Sequence, residues 1–183
     1  MNEIERIAAC QLGNTEEFRP IVETYKASMM ALALNILGNR EDAEDACQEA
    51  FVRAFRSFDR YNPGLSLRNW LFVILYRGCL DIVRKRRRFR AFSARAVYET
   101  RTETPIASFP LPEPRPLLAR AILDKLTPKE RMILALWANE DFNAAEIAGI
   151  LGCSASTARV HLFNARAKIK KLMEKGYGTL GNR

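Results

Sequence analysis

Apolar residues recur at steps of three and four along most of this chain, and the clean alternation expected of half-buried strands is absent. Phe18, Ile21, Val22, Tyr25, Met29, Leu32, Ala33 and Ile36 share one helical stripe, and Thr15 followed by Glu16 and Glu17 marks its start. Gly38 predicts its end. Asn39 can cap the next helix, with Glu41 and Asp42 in the first turn, where the helix dipole is positive. That helix runs to about Phe58, with Ala43, Ala46, Cys47, Ala50, Phe51, Ala54 and Phe58 inward. Asn62, Pro63 and Gly64 break the pattern in the loop from Asp59 to Ser66. Ser66 then caps a third long helix, predicted from Leu67 to about Arg88.

The second half repeats the theme with shorter pieces. Leu117–Leu126 reads as one helix. Thr127, Pro128 and Glu130 supply an N-cap, a first-turn proline and a capping-box acid for another, which carries Ile133, Leu134, Leu136 and Trp137. Ala144–Leu151, the turn Gly152-Cys153-Ser154 and a last helix from about Ala155 to Lys175 complete it. Between the halves, five prolines at 105, 110, 112, 114 and 116 remove backbone donors and fix φ, which predicts an extended linker. A long surface loop within one domain is the alternative, but each flank has its own apolar periodicity. The expected architecture is all-α: a domain over 1–90, a flexible linker over 91–116, a helix-turn-helix domain over 117–176 and a fraying tail over 177–183.

Composition excludes several classes. With 183 residues, 48% apolar and 27% charged, the chain is neither collagen-like nor wholly disordered. Its longest apolar run, Trp70 to Tyr76, is far short of the ~20 residues that span a bilayer. The first ten residues lack the apolar core of a secretory signal, so a reducing cytoplasm is the expected compartment. Cys10, Cys47, Cys79 and Cys153 are far apart and His161 is the only histidine, so buried free thiols fit better than a zinc site. The sequence offers no nucleophile–base pair, phosphate loop or metal cluster, so no catalytic residue, metal or cofactor is assigned and a binding protein is expected rather than an enzyme.

Charge distinguishes the segments. The net charge is +8 overall, but −4 over residues 1–63, +7 over 64–100 and +5 over 101–183. Basic segments attract phosphate chains, whereas the acidic front calls for a basic protein surface.

Three motifs carry chemistry. In the last helix, Ala158, Leu162, Ala165, Ile169 and Leu172 form a narrow inward seam. Ser156, Val160, Phe163 and Asn164 then point outward, Thr157 and His161 lie on one flank, and Arg159, Arg166 and Lys170 on the other. Polar groups near a helix start with cationic edges suit major-groove binding; a solvated helical hairpin is the plain alternative. In the third helix, Trp70, Leu71, Ile74 and Leu75 precede Arg77, Arg84, Lys85, Arg86, Arg87 and Arg88. Aromatics beside a cationic strip serve single-stranded nucleic acid by stacking and backbone tracking. Tyr61, Trp70, Phe72 and Tyr76 supply the rings, though for Trp70 core burial weighs as much as base contact. In the second helix, Glu44, Asp45, Gln48 and Glu49 form an acidic outer face, which is either a docking patch or ordinary solvated surface.

The order of these motifs resembles the extracytoplasmic-function, or group IV, bacterial sigma factors. The likeness spans roughly residues 14–88 and 117–173 and rests on an acidic D-A-E-D-x-x-Q-E helix, a W-L helix ending in arginines, L-T-P-K-E-R and a helix-turn-helix. It implies that Asp42, Glu44, Asp45, Gln48 and Glu49 dock on the clamp helices of the polymerase β′ subunit. It also implies that the loop Asp59–Ser66 pockets a flipped base of the minus-ten element, a step that costs a few kcal/mol of unstacking. Tyr61, Asn62, Arg68, Trp70, Arg77, Arg84 and Lys85 are then the minus-ten candidates, and Ser156, Thr157, Arg159, His161, Asn164 and Arg166 the minus-thirty-five candidates. Asp81 and Arg84 match a D-x-x-R pair of the family. Arg77 stands where the family often has Asn, and His161 and Asn164 stand where Arg is common, departures that bear on promoter preference. The implied partners are core RNA polymerase, through β′ and the β flap, promoter DNA and an anti-sigma factor that clamps the two domains; the free chain is expected to be a monomer in the bacterial cytoplasm.

Two other classes stay open on the sequence. A stand-alone DNA-binding regulator would need only the second half, and a sigma mimic would bind an anti-sigma without touching DNA. Association with core polymerase separates the first from a sigma factor, and DNA binding in the presence of core enzyme separates the second.

Overall fold

The computed structural model describes residues 2–99, 122, 125–139 and 142–180. Among them lie seven α-helices and two short 3-10 turns. The first helix, α1 (Glu3–Gln11), was not expected from the pattern, because Ile7 is its one fully buried residue. Its signal is at the start instead: Asn2 Oδ1 accepts from the Glu5 N–H at 2.9 Å while Glu5 accepts from the Asn2 N–H at 2.9 Å. Thr15–Glu17, read as a helix start, forms a 3-10 turn ahead of α2 (Phe18–Leu37). Gly38 closes α2 at φ 77°, a left-handed position that glycine adopts without a Cβ clash.

Asn39 caps α3 (Arg40–Arg56), its Oδ1 accepting from the Asp42 N–H at 2.8 Å. The buried face of α3 is made of Ala43, Ala46, Cys47, Ala50 and Ala54, small residues that let α2 and α4 approach closely. The helix α4 (Leu67–Glu99) starts at Ser66, whose Oγ accepts from the Asn69 N–H at 3.2 Å. It continues past Arg88 into residues expected to be linker. Nothing from Lys85 to Glu99 is glycine or proline, so no local breaker opposes propagation. The rest of the expected linker lies outside the described residues, as does the helix expected over 117–126 apart from Ile122, Lys125 and Leu126.

In the second half, α5 (Pro128–Asn139) begins with the predicted reciprocal cap: Glu130 accepts from the Thr127 N–H at 2.7 Å and Thr127 from the Glu130 N–H at 3.2 Å. Asn143 caps α6 (Ala144–Leu151), and Gly152 turns the chain at φ 66°. The last helix, α7 (Ala155–Leu180), runs on through much of the segment expected to fray.

Met29, Leu32, Ile36, Leu71 and Leu75 are buried where α2, α3 and α4 meet, and Met132, Ile133, Leu136 and Ile147 where α5, α6 and α7 meet. The two clusters are not separate. Helix α2 packs on α5 and α4 on α6, so one continuous core runs through both halves. Phe142, between α5 and α6, is 1% exposed. Its ring lies 5.2 Å from that of Phe72, with the Arg68 guanidinium 4.1 Å from its centroid. Such non-local packing leaves no trace in periodicity.

Arg86 shows the same limit within the basic run. It reads as one more nucleic-acid contact in the cationic strip, yet its Nη1 donates to the Leu37 carbonyl at 3.0 Å and its Nη2 pairs with the Asp42 carboxylate. One guanidinium therefore ties the C-terminal end of α2, where the dipole is negative, to the capped start of α3. Arg86→Ala should lower the unfolding free energy by about 1–3 kcal/mol, the range for leaving such partners unsatisfied. Urea denaturation checks this, and an unchanged midpoint would show the tie to be idle.

The thiols divide by burial. Burial pushes Cys47 and Cys79 up to about 12, with the neighbouring Glu44 adding to the effect at Cys47. Cys10 and Cys153 are partly exposed. Iodoacetamide at neutral pH should therefore label Cys10 and Cys153 in the folded chain and reach Cys47 and Cys79 only after denaturation, as peptide mass spectrometry would read.

Candidate functional site

The acidic face of α3 is built on the small-residue packing beneath it. Glu44, Asp45, Gln48 and Glu49 all face solvent. Arg40 donates to Glu44 at 2.7 Å and Arg53 to Glu49 at 2.8 Å. Both are exposed pairs one turn apart, worth only a few tenths of a kcal/mol, so a basic partner can displace them readily. Asp42 differs from the other four. Its carboxylate accepts from Asn39 Nδ2 at 3.0 Å and pairs with Arg86, so it holds the fold rather than standing open. An apolar groove lies between α2 and α3, with Val22, Met30, Phe51 and Val52 in its walls and Glu44, Gln48, Lys26 and Arg40 at its edge, while Asp45 and Glu49 border the cleft between α3 and α4. An apolar floor with a charged rim is the anatomy of a protein-docking surface.

The loop ahead of α4 is braced from behind. Tyr61 is 3% exposed, its hydroxyl donates to the Leu65 carbonyl, and its ring stacks against Phe58 and Trp70 at 5.7 and 4.9 Å. Phe58 in turn meets Phe18 at 5.5 Å. Gln11 at the end of α1 donates to the Phe58 and Tyr61 carbonyls at 3.3 and 2.7 Å. Tyr61 is therefore a core residue here and not an open contact, and Trp70 is half-buried within the same aromatic cluster. The helix α1, missed by the pattern, is what pins this loop. Asn62 is exposed, its side chain accepting from the Gly64 N–H at 2.9 Å to shape the turn.

Along α4 the candidates separate. Arg77, Arg84 and Lys85 are exposed, and Arg84 pairs with Asp81 at 3.0 Å. Positions 77, 84 and 88 follow steps of seven and four, so these arginines share one face. Arg68 is half-buried under Phe142, and this packing of the two halves covers it.

The helix-turn-helix is capped at each end of its turn. Ser154 Oγ accepts from the Thr157 N–H at 3.1 Å and lies 2.9 and 2.8 Å from Ser156 Oγ and Thr157 Oγ1. Ser156, Thr157, Arg159 and Asn164 are exposed, as are Val160 and Phe163, the latter 71%. Ala158 and Ala165 are buried in the inward seam as predicted. Arg166 has a second occupation, its guanidinium lying 4.7 Å from the Trp137 ring centroid. That ring lines an apolar groove between α5 and α7, with Leu134, Phe163, Ile169 and Met173. His161 is half-buried, its Nε2 2.9 Å from Lys129 Nζ. Lys129 was not singled out in the sequence, because 32 positions separate the two residues.

At the head of α5, burial works to raise the Glu130 carboxyl. The Thr127 N–H and Lys168 hydrogen bonds outweigh it and leave the group below its usual range. The Glu130–Lys168 pair at 2.9 Å ties α5 to α7. No helix among the described residues is long and apolar enough to cross a membrane.

Two family models match segments of the chain. Residues 21–89 match Sigma-70 region 2, and residues 117–169 match Sigma-70 region 4. The chain is 31% identical over 159 residues, 87% of its own length and 86% of the relative's, to the ECF RNA polymerase sigma factor EcfG of Rhodopseudomonas palustris (strain TIE-1). Its fold is like that of CnrH solved with the cytosolic domain of CnrY, at a TM-score of 0.71 and 24% identity over 94% of this chain and 97% of that one. It is also like the sigma factor RpoE of Bartonella quintana solved with the anti-sigma factor NepR, at a TM-score of 0.67 and 22% identity over 87% and 98%.

Proposed function

This chain belongs to the extracytoplasmic-function RNA polymerase sigma factors, and from that premise we propose how its surfaces divide the work of starting transcription. The α3 face, through Asp45, Gln48, Glu49 and the apolar groove beside them, docks on a basic surface of core polymerase, the β′ clamp helices. The α5–α7 groove around Trp137 takes an apolar segment, the β flap. The exposed Arg77, Arg84 and Lys85 of α4 track the unpaired minus-ten strand, with Asn62 at the loop. The exposed Ser156, Thr157, Arg159 and Asn164 meet the minus-thirty-five duplex. All of this is binding and positioning; the bond-making belongs to the polymerase.

The observation that carries the reading is the α3 face. Glu44, Asp45 and Glu49 stand exposed on this face, and Glu44 and Gln48 border an apolar groove; DNA would be repelled by these carboxylates, so a chain that binds DNA alone has no use for them. This favours the polymerase-borne factor over a stand-alone regulator.

The packed arrangement covers Arg68, so promoter capture requires the halves to part. A protein that stabilises the packed state would silence the factor, and an anti-sigma factor of the kind bound to the Bartonella quintana relative suits that role. The setting is the bacterial cytoplasm, with the free chain a monomer.

The test is reconstitution. The purified chain should form a complex with core polymerase and direct RNA synthesis from a subset of promoters in a template library. Failure to bind core enzyme, together with tight operator binding, would reverse the assignment in favour of the stand-alone regulator.

A further inference from the structure

We infer that Lys129 and His161 form one base-reading pair, in which Lys129 fixes the imidazole so that it presents only a donor to the upstream promoter duplex. The inference rests on the reading of α7 as the recognition helix. Lys129 Nζ lies 2.9 Å from His161 Nε2, bridging α5 and α7. An ammonium has three N–H groups and no lone pair, so Nε2 is the acceptor. The ring proton therefore sits on Nδ1. No other hydrogen bond to the ring is formed by the described residues, which leaves Nδ1–H as its remaining polar group.

The pair is held rigidly. Glu130, the residue beside Lys129, is engaged with Thr127 and Lys168 and so does not neutralise the Lys129 charge. Its bond to Lys168 fixes the same two helices a second time. His161 stands one turn beyond exposed Thr157 and one turn short of exposed Asn164, half-buried on the same row of α7. A group held by packing and a second hydrogen bond reads partners more sharply than a free rotor.

A fixed donor has a definite consequence. In the major groove guanine offers O6 and N7, adenine N7 and thymine O4, whereas cytosine offers only its amino donor. The pair should accept three bases and reject cytosine at one position of the upstream element. Without Lys129 a neutral imidazole can place its proton on either nitrogen, and the rejection relaxes.

The test uses holoenzyme made from the full chain and core polymerase, selecting duplexes randomised across the upstream element at about pH 8, where an unpartnered histidine is neutral. The native chain should deplete cytosine roughly tenfold at one position, and Lys129→Met should bring that to within about twofold while leaving other positions unchanged. His161→Ala should relax the same position, the double variant no further, and Lys129→Arg, which keeps a donor, should retain the depletion. If Lys129→Met weakens all sequences evenly and keeps the preference, Lys129 is a phosphate anchor and the pairing is wrong. The pairing is equally wrong if the two single variants relax different positions. If the native holoenzyme selects no upstream sequence at all, the recognition-helix reading itself falls, and the pair with it.

Discussion

Phe142→Ala should release the second half of the molecule from the first. Phe142 is buried against Phe72 and carries Arg68 on its face, at the centre of the contact between α4 and the segment joining α5 to α6. Truncating a buried phenylalanine costs about 3–5 kcal/mol, part of it falling on the contact between the halves. A share of about 3 kcal/mol would move the balance between packed and parted states by roughly a hundredfold. Small-angle X-ray scattering should show a larger radius of gyration with helix content preserved by circular dichroism. Binding to single-stranded minus-ten DNA should tighten, because Arg68 is uncovered. Arg68→Lys keeps the charge but loses the planar stack, so it should also part the halves without emptying a core site. An unaltered scattering profile in both variants would show that the aromatic contact does not hold the halves together.

The second large effect concerns the α3 face. Asp45→Arg combined with Glu49→Arg should reduce affinity for core polymerase by at least roughly a hundredfold, since opposing like charges across an interface costs several kcal/mol. Both side chains face solvent, so thermal stability should hold. Asp42→Ala should behave in the opposite way, with lower stability and a smaller direct effect on binding, because its carboxylate is engaged with Asn39 and Arg86. Pull-down of core enzyme alongside thermal melts distinguishes the two classes. Equal losses of binding for Asp42→Ala and the double reversal would remove the distinction drawn between them.

The helices were legible because their signals are local. Gly38, Asn39, Ser66, Thr127 and Gly152 each act within a few residues, and each caps or ends a helix where the pattern placed it. The inward seam of α7 was legible for the same reason. The illegible parts depend on residues far apart in sequence. Tyr61 looks like a base-stacking residue until Phe58, Trp70 and Gln11 close around it. Arg86 looks like its neighbours in the basic run until Leu37 and Asp42 are found beside it. A Pro-rich stretch between two periodic flanks suggests independent modules, and no single-residue signal announces that Phe142 will join their cores. The helix α1 could have been found from Asn2 and Glu5, a capping pair ahead of a weakly apolar segment.

The helix α4 spans 33 residues without a break, a rod of ~50 Å. Its rigidity makes angular phase a property of the whole segment: Trp70 near one end and Arg84, Arg86 and Arg88 further on keep their relative bearings only while the residue count between them is fixed. Adding or removing one amino acid there would swing everything downstream by about 100° about the axis. Arg84 and Arg88 would turn together away from the bearing they keep with Trp70, and Arg86, which faces the other way, would lose Leu37. This stretch should accordingly tolerate many substitutions and almost no change in length.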